Sequence, residues 1–372
     1  MLLNRLAITN FKNIPEARLE FSPKVNCFLG DNGMGKSNLL DAIYYLSFCK
    51  SFSGLADMQL VRRGEGFATL RGCYLRRGLD EELTLGLQPG KRKSFKRSGK
   101  EYERLSTHIG AFPLVIASPS DSDLVTGTGE ERRRLMDMVI SQADPVYLDH
   151  LIRYTRALQQ RNKLLRDHCA DPALYLSVEM AMERAAIYIT AARGKWVAEL
   201  TGIFASRYGA IAADGEEPAV ALRSHLAAEP RGFGVMLDSA RRHDEMVGHT
   251  SVGPHRDDLE LSLNGMPVRR VASQGQCKTY TLALRLAQYS FLEKASGMKP
   301  LMLLDDVFDR LDAGRVERLV EVVSGDGFGQ IFITDTNRGH LDNIMSRTGA
   351  GDHRSWLVEN GNFKPLDTPA AL

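Results

Sequence analysis

Apolar positions in the first third of the chain come in short runs with a period near two, broken by turn-rich segments. This is the pattern of half-buried strands. Leu2–Thr9, Ala17–Phe21 and Val25–Leu29 open the series. A helix follows from Lys36 to about Cys49, with Leu39, Leu40, Ile43 and Leu46 on one face. Ala68–Leu75 and Glu82–Leu87, joined by Arg76–Asp80, read as further strands, and Leu114–Ala117 as a brief buried one. Near Ser118 the period lengthens to that of helices, over Glu130–Gln142, Pro145–His168 and Pro172–Tyr208. In the last of these Leu174, Val178, Ala181, Ala185, Tyr188, Ala192, Trp196, Leu200 and Ile203 step by threes and fours. That stripe, like its counterpart in the preceding helix, is core packing of a helical hairpin. Asp214–Pro218 and Glu229–Gly234 read as loops. Leu259–Leu263 and Met266–Val271 flank Asn264-Gly265, the two-residue signal of a hairpin turn. The rest alternates: helix Cys277–Lys294, strand Leu301–Leu304, helix Leu311–Val323, strand Gln330–Thr334 and a final strand near Ser355–Val358. No internal repeat breaks this order. It predicts an α/β lobe from residues 1–120 plus 300–372, into which a mainly helical lobe, 121–299, is inserted.

The length of 372 residues agrees with two lobes, and 43% hydrophobic with 25% charged residues is ordinary for a water-soluble chain. The formal net charge is only +2, so any contact with nucleic acid must come from a local basic surface. The densest such run is Lys91, Arg92, Lys93, Lys96 and Arg97; Arg62-Arg63, Arg76-Arg77 and Arg132–Arg134 are smaller. Two readings of the 91–97 run stand side by side: a strip that tracks duplex phosphates, or a solvated hairpin edge whose lysines block further pairing. Five scattered cysteines without a CxxC pair argue against a disulfide framework or zinc site and suit a reducing cytosol. No apolar run approaches the ~20 residues that cross a bilayer, so a cytoplasmic protein with no membrane partner is expected.

Three segments carry chemistry. Gly30-Asp31-Asn32-Gly33-Met34-Gly35-Lys36-Ser37 fits GxxxxGK(S/T) between an apolar strand and a helix, the context in which backbone N–H groups cradle phosphates. Lys36 would neutralise the terminal phosphates of ATP and Ser37 would ligate Mg²⁺; Asn38, next along the helix, belongs to the same cradle. Leu301–Leu304 ends in Asp305-Asp306, which assigns Asp305 to Mg²⁺ and Asp306 to the attacking water. Ser273, Gly275 and Gln276 precede the Cys277 helix, where a hydroxyl and a glycine N–H form either a plain cap or a second anion site. Lys36, Asp305 and Asp306 are thus the candidate catalytic residues.

In that order the segments resemble an ABC-type ATPase, and more narrowly its SMC-like, DNA-acting branch, in which a long helical insert separates cradle and signature. Further strings resemble the RecF family over nearly the whole chain: Thr9–Asn13, Gly253–Leu261, Ala272–Gln276, Leu303–Phe308 and Leu311-Asp312. There are departures, with Lys12 for the usual arginine, Asp309-Arg310 for Ser-Glu, Cys277 for a polar residue, and two extra residues within Ser118–Leu124. Thr334-Asp335-Thr336 stands where transporter ATPases carry a switch histidine, a residue that RecF-like proteins also lack.

The resemblance implies a head-to-tail homodimer with ATP held between the cradle of one copy and Ser273 and Gly275 of the other. It also implies weak, DNA-stimulated hydrolysis acting as a timer. Double-stranded DNA and gapped junctions, RecR and RecO are the implied partners, and RecA loading in recombinational repair and replication restart the implied role. A transporter ATPase subunit would need a glutamate at 306 and a histidine near 336. A P-loop kinase would need no signature segment, and a purely structural SMC-like scaffold would need longer heptad arms. The roles of His255 and Arg256 stay open, as does the sensing residue in 118–124.

Overall fold

The computed structural model describes the whole chain apart from residues 213–214, 229–231, 310, 348–351 and 367–372. The expected loops at Asp214–Pro218 and Glu229–Gly234, and the departure at Arg310, therefore fall partly outside the described residues. The chain forms two compact units. The first takes Met1–Asp121, the end of the long helix from Arg207, and Ser273–Leu372; the second takes Ser122–Ser206 and Gly215–Ala272.

The first unit holds two six-stranded sheets. One is antiparallel, in the order Ile14–Glu20, Leu2–Phe11, Ala68–Arg76, Leu79–Leu87, Ser94–Arg97, Lys100–Glu101. The other runs Asn362–Pro365, His353–Glu359, Val25–Leu29, Ile331–Asp335, Leu301–Asp305, Leu114–Ala117, and is parallel except for its terminal hairpin. Its central strands are buried throughout, which explains why they read as continuous apolar runs. Helix Lys36–Phe48 packs against strands of both sheets and is buried on nearly every face. Gln330 joins the sheets: its side chain accepts from the Leu3 N–H at 2.7 Å and donates to the carbonyls of Leu3 at 2.9 Å and Ser22 at 2.8 Å.

The second unit contains helices Gly129–Ala143, Pro145–Arg166, most of Pro172–Gly209, and Phe233–Val247, with a three-stranded sheet in the order Met266–Pro267, Asp258–Leu263, Pro218–Arg223. Asp144 caps the second helix by accepting from the N–H groups of Val146 and Tyr147. Buried Arg161 and Arg193 are matched by carboxylates, Arg161 by Glu179 and Asp244, Arg193 by Asp137 and Asp257.

Several expectations change. The helix expected at Cys277–Lys294 begins at Gln274, and it clusters with the first unit instead of the helical lobe, because its apolar face packs against strand Leu114–Ala117. The expected strand Met266–Val271 is only Met266–Pro267, followed by a helical turn Val268–Val271; Pro267 has no N–H for a ladder. Ser355–Val358 is not the last strand, since His353–Glu359 turns through Asn360-Gly361 into Asn362–Pro365. Strand Pro218–Arg223 and helices Phe233–Val247 and Arg338–Ser346 were not expected.

Gly253 has φ of 122°, and a Cβ there would lie 2.5 Å from the Tyr154 hydroxyl and 2.9 Å from the Phe233 ring. Gly253→Ala is expected to cost about 1–3 kcal/mol, lowering the melting temperature in calorimetry. Gly202, helical with open space around its Cβ position, gives the contrast: Gly202→Ala should stabilise by about 0.5–1 kcal/mol. Equal melting temperatures for the two variants would refute both assignments.

Candidate functional site

Strand Val25–Leu29 delivers the chain into the loop 30–35, and helix Lys36–Phe48 carries it away. Gly33 and Gly35 have φ of 81° and 115°, a backbone that side chains rarely adopt. Gly30 is closed in differently, since a Cβ there would meet the Val358 carbonyl at 2.5 Å. Asn13 supports the loop from the side, donating to the Gly33 carbonyl at 3.3 Å and accepting from the Asn38 amide at 2.8 Å. Asp31 and Asn32 face solvent. Lys36 is buried, and its ammonium donates to the carbonyls of Gly30 at 2.7 Å and Asp31 at 3.2 Å. The cation is therefore already curled into the loop, where an incoming phosphate oxygen can replace a carbonyl.

The acidic strand end meets this loop. Ser37 donates to Asp305 Oδ1 at 2.8 Å, and Thr334, on the neighbouring parallel strand, donates to the same oxygen at 2.7 Å. The Thr334 hydroxyl also accepts from the Asp306 N–H at 3.1 Å. Asp306 is held at φ 46°, left-handed for a non-glycine residue, and its buried Oδ1 has no hydrogen-bond partner among the described residues. Burial raises the pKa of both carboxyls; hydrogen bonds from Thr334 and Ser37 oppose this at Asp305, and the Lys36 charge opposes it at Asp306. Among the described residues no group of three or more His, Cys, Asp or Glu forms a self-sufficient metal cage. A hydroxyl and one carboxylate fit a hard cation that takes its remaining ligands from water and phosphate, as Mg²⁺ does.

Ser273 is the N-cap of helix Gln274–Ser296, accepting from the Gln276 N–H at 3.2 Å while the Gln276 side chain accepts from the Ser273 N–H at 2.8 Å. Both residues are solvent-accessible, as is Gly275. The cap thus presents a helix N-terminus outward. One turn on, Lys278 Nζ lies 3.5 Å from the Asp306 carbonyl, linking the signature helix to the acidic strand end.

Sequence reasoning missed four contributors: Asn13, Lys278, Thr334 as the carboxylate clamp, and His340. Position 336 is a threonine, yet His340, from the following helix, reaches Asp335 at 2.8 Å and packs its ring against Phe308. Helical spacing from the strand end was the only signal available for it. In the 118–124 loop, Asp121 is fully engaged by Arg285 of the signature helix at 2.7 and 3.0 Å, whereas Asp123 is exposed. The basic run divides. Lys93 is tied to Asp57, the Tyr45 hydroxyl and the Cys49 carbonyl, and Arg97 is bidentate to Glu81, which leaves Lys91, Arg92 and Lys96 facing solvent. Beside the cradle, a cavity of about 530 Å³ is lined by Lys12, Asn13, Gln59, Val61, Arg62 and Arg63.

A phosphate cradle and an acidic strand end, on adjacent parts of a parallel sheet with a capped signature helix, define an α/β head of the ABC and SMC-like ATPase class. Residues 2–353 match the family model described as RecF/RecN/SMC N terminal domain. Among curated relatives, the DNA replication and repair protein RecF of Parabacteroides distasonis is 46% identical, over 99% of this chain and 100% of its own. That of Phocaeicola vulgatus is 48% identical over 97% of each. The chain belongs to the RecF family of DNA replication and repair proteins.

Solved structures agree. The recombination mediator protein RecF of the RecFOR pathway, with ATPrS, superposes with a TM-score of 0.87 at 28% identity, over 98% of both chains. The same mediator with ATP gives 0.86 at 27%, over 98% of this chain and 97% of that one. An Smc head domain from Pyrococcus furiosus, at 16% identity and a TM-score of 0.58, shares the fold. Among the described residues no helix is long and apolar enough to cross a membrane.

Proposed function

We propose that this chain binds ATP with Mg²⁺ in the cradle, that ATP closes two copies head to tail, and that the closed dimer holds duplex DNA. The observation that carries the proposal is the meeting of Ser37, Asp305 and Thr334 at one carboxylate oxygen, beside the unpartnered buried oxygen of Asp306. Lys36 gives up its loop carbonyls for phosphate oxygens, and the backbone N–H groups of the loop take the rest. Mg²⁺ on Ser37 and Asp305 supplies charge neutralisation at the phosphates. Asp306 Oδ1, raised in pKa and lacking any donor, is placed to orient and deprotonate a water. The open cavity lined by Lys12, Asn13 and Arg62 offers room for the nucleoside half.

The outward-facing tip at Ser273 and Gly275 makes its contribution from the second copy. A terminal phosphate gives that tip something to grip, and ADP does not, so ATP alone favours closure. Hydrolysis then releases the pair, slowly and with DNA stimulation. The relatives' place in DNA replication and repair supports a role in RecA loading at gaps with RecR and RecO.

Ser273→Arg tests the switch, because it fills an exposed cap without entering the cradle. It should retain ATP affinity within a few-fold, lose about 1 kcal/mol of local helix stability, and remain a monomer with ATP by light scattering. Wild type should dimerise and bind duplex DNA with ATP but not with ADP. A Ser273→Arg protein that still dimerised with ATP would overturn the head-to-tail arrangement.

A further inference from the structure

Most polar groups of the Gly253–Asp258 motif are internally satisfied. Arg193 spans Asp137 and Asp257, each at 2.8 Å, and donates to the Pro254 carbonyl at 2.6 Å. Arg132 is bidentate to Asp258 at 2.7 and 3.0 Å. His255 is clamped between the Tyr154 hydroxyl at 2.7 Å and the Thr250 carbonyl at 2.9 Å. The carbonyl makes Nε2 the protonated nitrogen, so Nδ1 accepts from tyrosine and the ring is neutral. Burial pushes its pKa down to about 4.

Beside the motif, Arg133 is less completely paired. Arg133 is half-buried, and its one hydrogen bond goes to the Asp257 carbonyl at 2.9 Å. Among the described residues no carboxylate pairs with it. Its neighbour Arg134 is neutralised by Glu130 at 2.7 Å, so the contrast is local. Burial, the largest influence, holds the Arg133 guanidinium below its usual range; the charges of Arg193 and Arg256 add to this, and those of Asp258 and Glu130 oppose it without reversing it. Arg133 also lines a half-enclosed cavity of about 180 Å³, whose other walls include Leu151, Leu158, Ile189 and the Tyr154 ring.

We propose that this cavity receives an acidic side chain of a partner protein, with the carboxylate on Arg133 and its methylene stem on the apolar wall. Three features select a carboxylate over a phosphate. The volume suits one side chain. Leu151, Leu158, Ile189 and Pro254 give part of the wall an apolar face, which favours a short hydrocarbon stem. Glu130 and Asp137 also line the cavity, but each is ion-paired there, with Arg134 and Arg193, so the single charge of Arg133 matches a monoanion better than a dianion. A duplex backbone, with closely spaced charges on a convex surface, matches a half-enclosed cavity poorly.

The test uses the full chain, labelled with ¹⁵N-arginine, and follows the side-chain Nε–H resonances. N-acetyl-glutamic acid α-amide, which carries only the side-chain carboxylate, should shift Arg133 saturably. Inorganic phosphate at matched ionic strength should not compete. Isothermal titration should show affinity falling at least about 10-fold in Arg133→Gln and recovering in part in Arg133→Lys, with Arg153→Gln, an exposed arginine outside the cavity, unchanged. Melting curves confirm that each variant is folded. Tighter binding of phosphate than of the glutamyl probe would assign the pocket to nucleic acid or nucleotide. Absence of a saturable shift, or equal affinity in Arg133→Gln, would remove the site.

Discussion

Asp306→Asn should slow ATP hydrolysis by about 10²–10⁴-fold while leaving ATP affinity within a few-fold. The substitution keeps the shape and the backbone N–H that Thr334 accepts, and removes only the basic oxygen. Single-turnover hydrolysis with saturating ATP is the direct measurement, and ATP-closed dimers should outlive those of wild type. The same change should raise the melting temperature of the nucleotide-free protein at neutral pH. Burial raises the folded pKa of Asp305 and Asp306 above the unfolded value, so their contribution to stability is fully present when both are protonated. It is lost as pH rises through the raised folded pKa, and at neutral pH the ionised pair is a burden that asparagine relieves. For the same reason the wild-type rate should begin to fall on the acid side at a higher pH than an ordinary aspartate, near 3.9, would give. A variant that hydrolysed ATP normally would show that another group handles the water.

Lys36→Met should weaken ATP binding by about 10²–10³-fold, the loss expected for charge-assisted contacts to two phosphates at about 1.5–3 kcal/mol each, partly offset by water. Methionine fills much of the buried stem, so the loss belongs to the ammonium and not to packing. Calorimetric titration gives the affinity, and the ATP-dependent dimer should vanish with it. Native affinity in this variant would mean that the loop N–H groups suffice and that the carbonyl-to-phosphate exchange of Lys36 contributes little.

Legibility differed by element for physical reasons. Val25–Leu29 and Leu114–Ala117 were read to the residue, because strands buried on both faces are apolar runs with sharp ends. The Gly30–Ser37 loop was legible because only glycine suits its backbone at 33 and 35. Helix Phe233–Val247 was missed because His243, Asp244 and Arg241–Arg242 dilute its apolar stripe; Asp244 is buried only through Arg161 and Ser251, partners far off or past a turn. The same blindness hid Thr334 and His340, whose functions exist only once three strands are side by side. In the 91–97 run the charges were legible but not their neutralisation by Asp57 and Glu81, which lie 36 and 16 positions away from the residues they pair with, Lys93 and Arg97.

The Thr334 clamp also sets when in the life of the chain the site can exist. Ser37 leaves the ribosome before its partner Asp305 and before Thr334, which clamps the same carboxylate; they lie some 268 and 297 positions further on, beyond the entire helical insert. A nascent polypeptide shorter than this carries the complete glycine loop and no carboxylate to close it. Since such non-local strand pairings form slowly, competence for nucleotide should be among the last properties acquired in biosynthesis, which keeps unfinished chains from capturing ATP or one another.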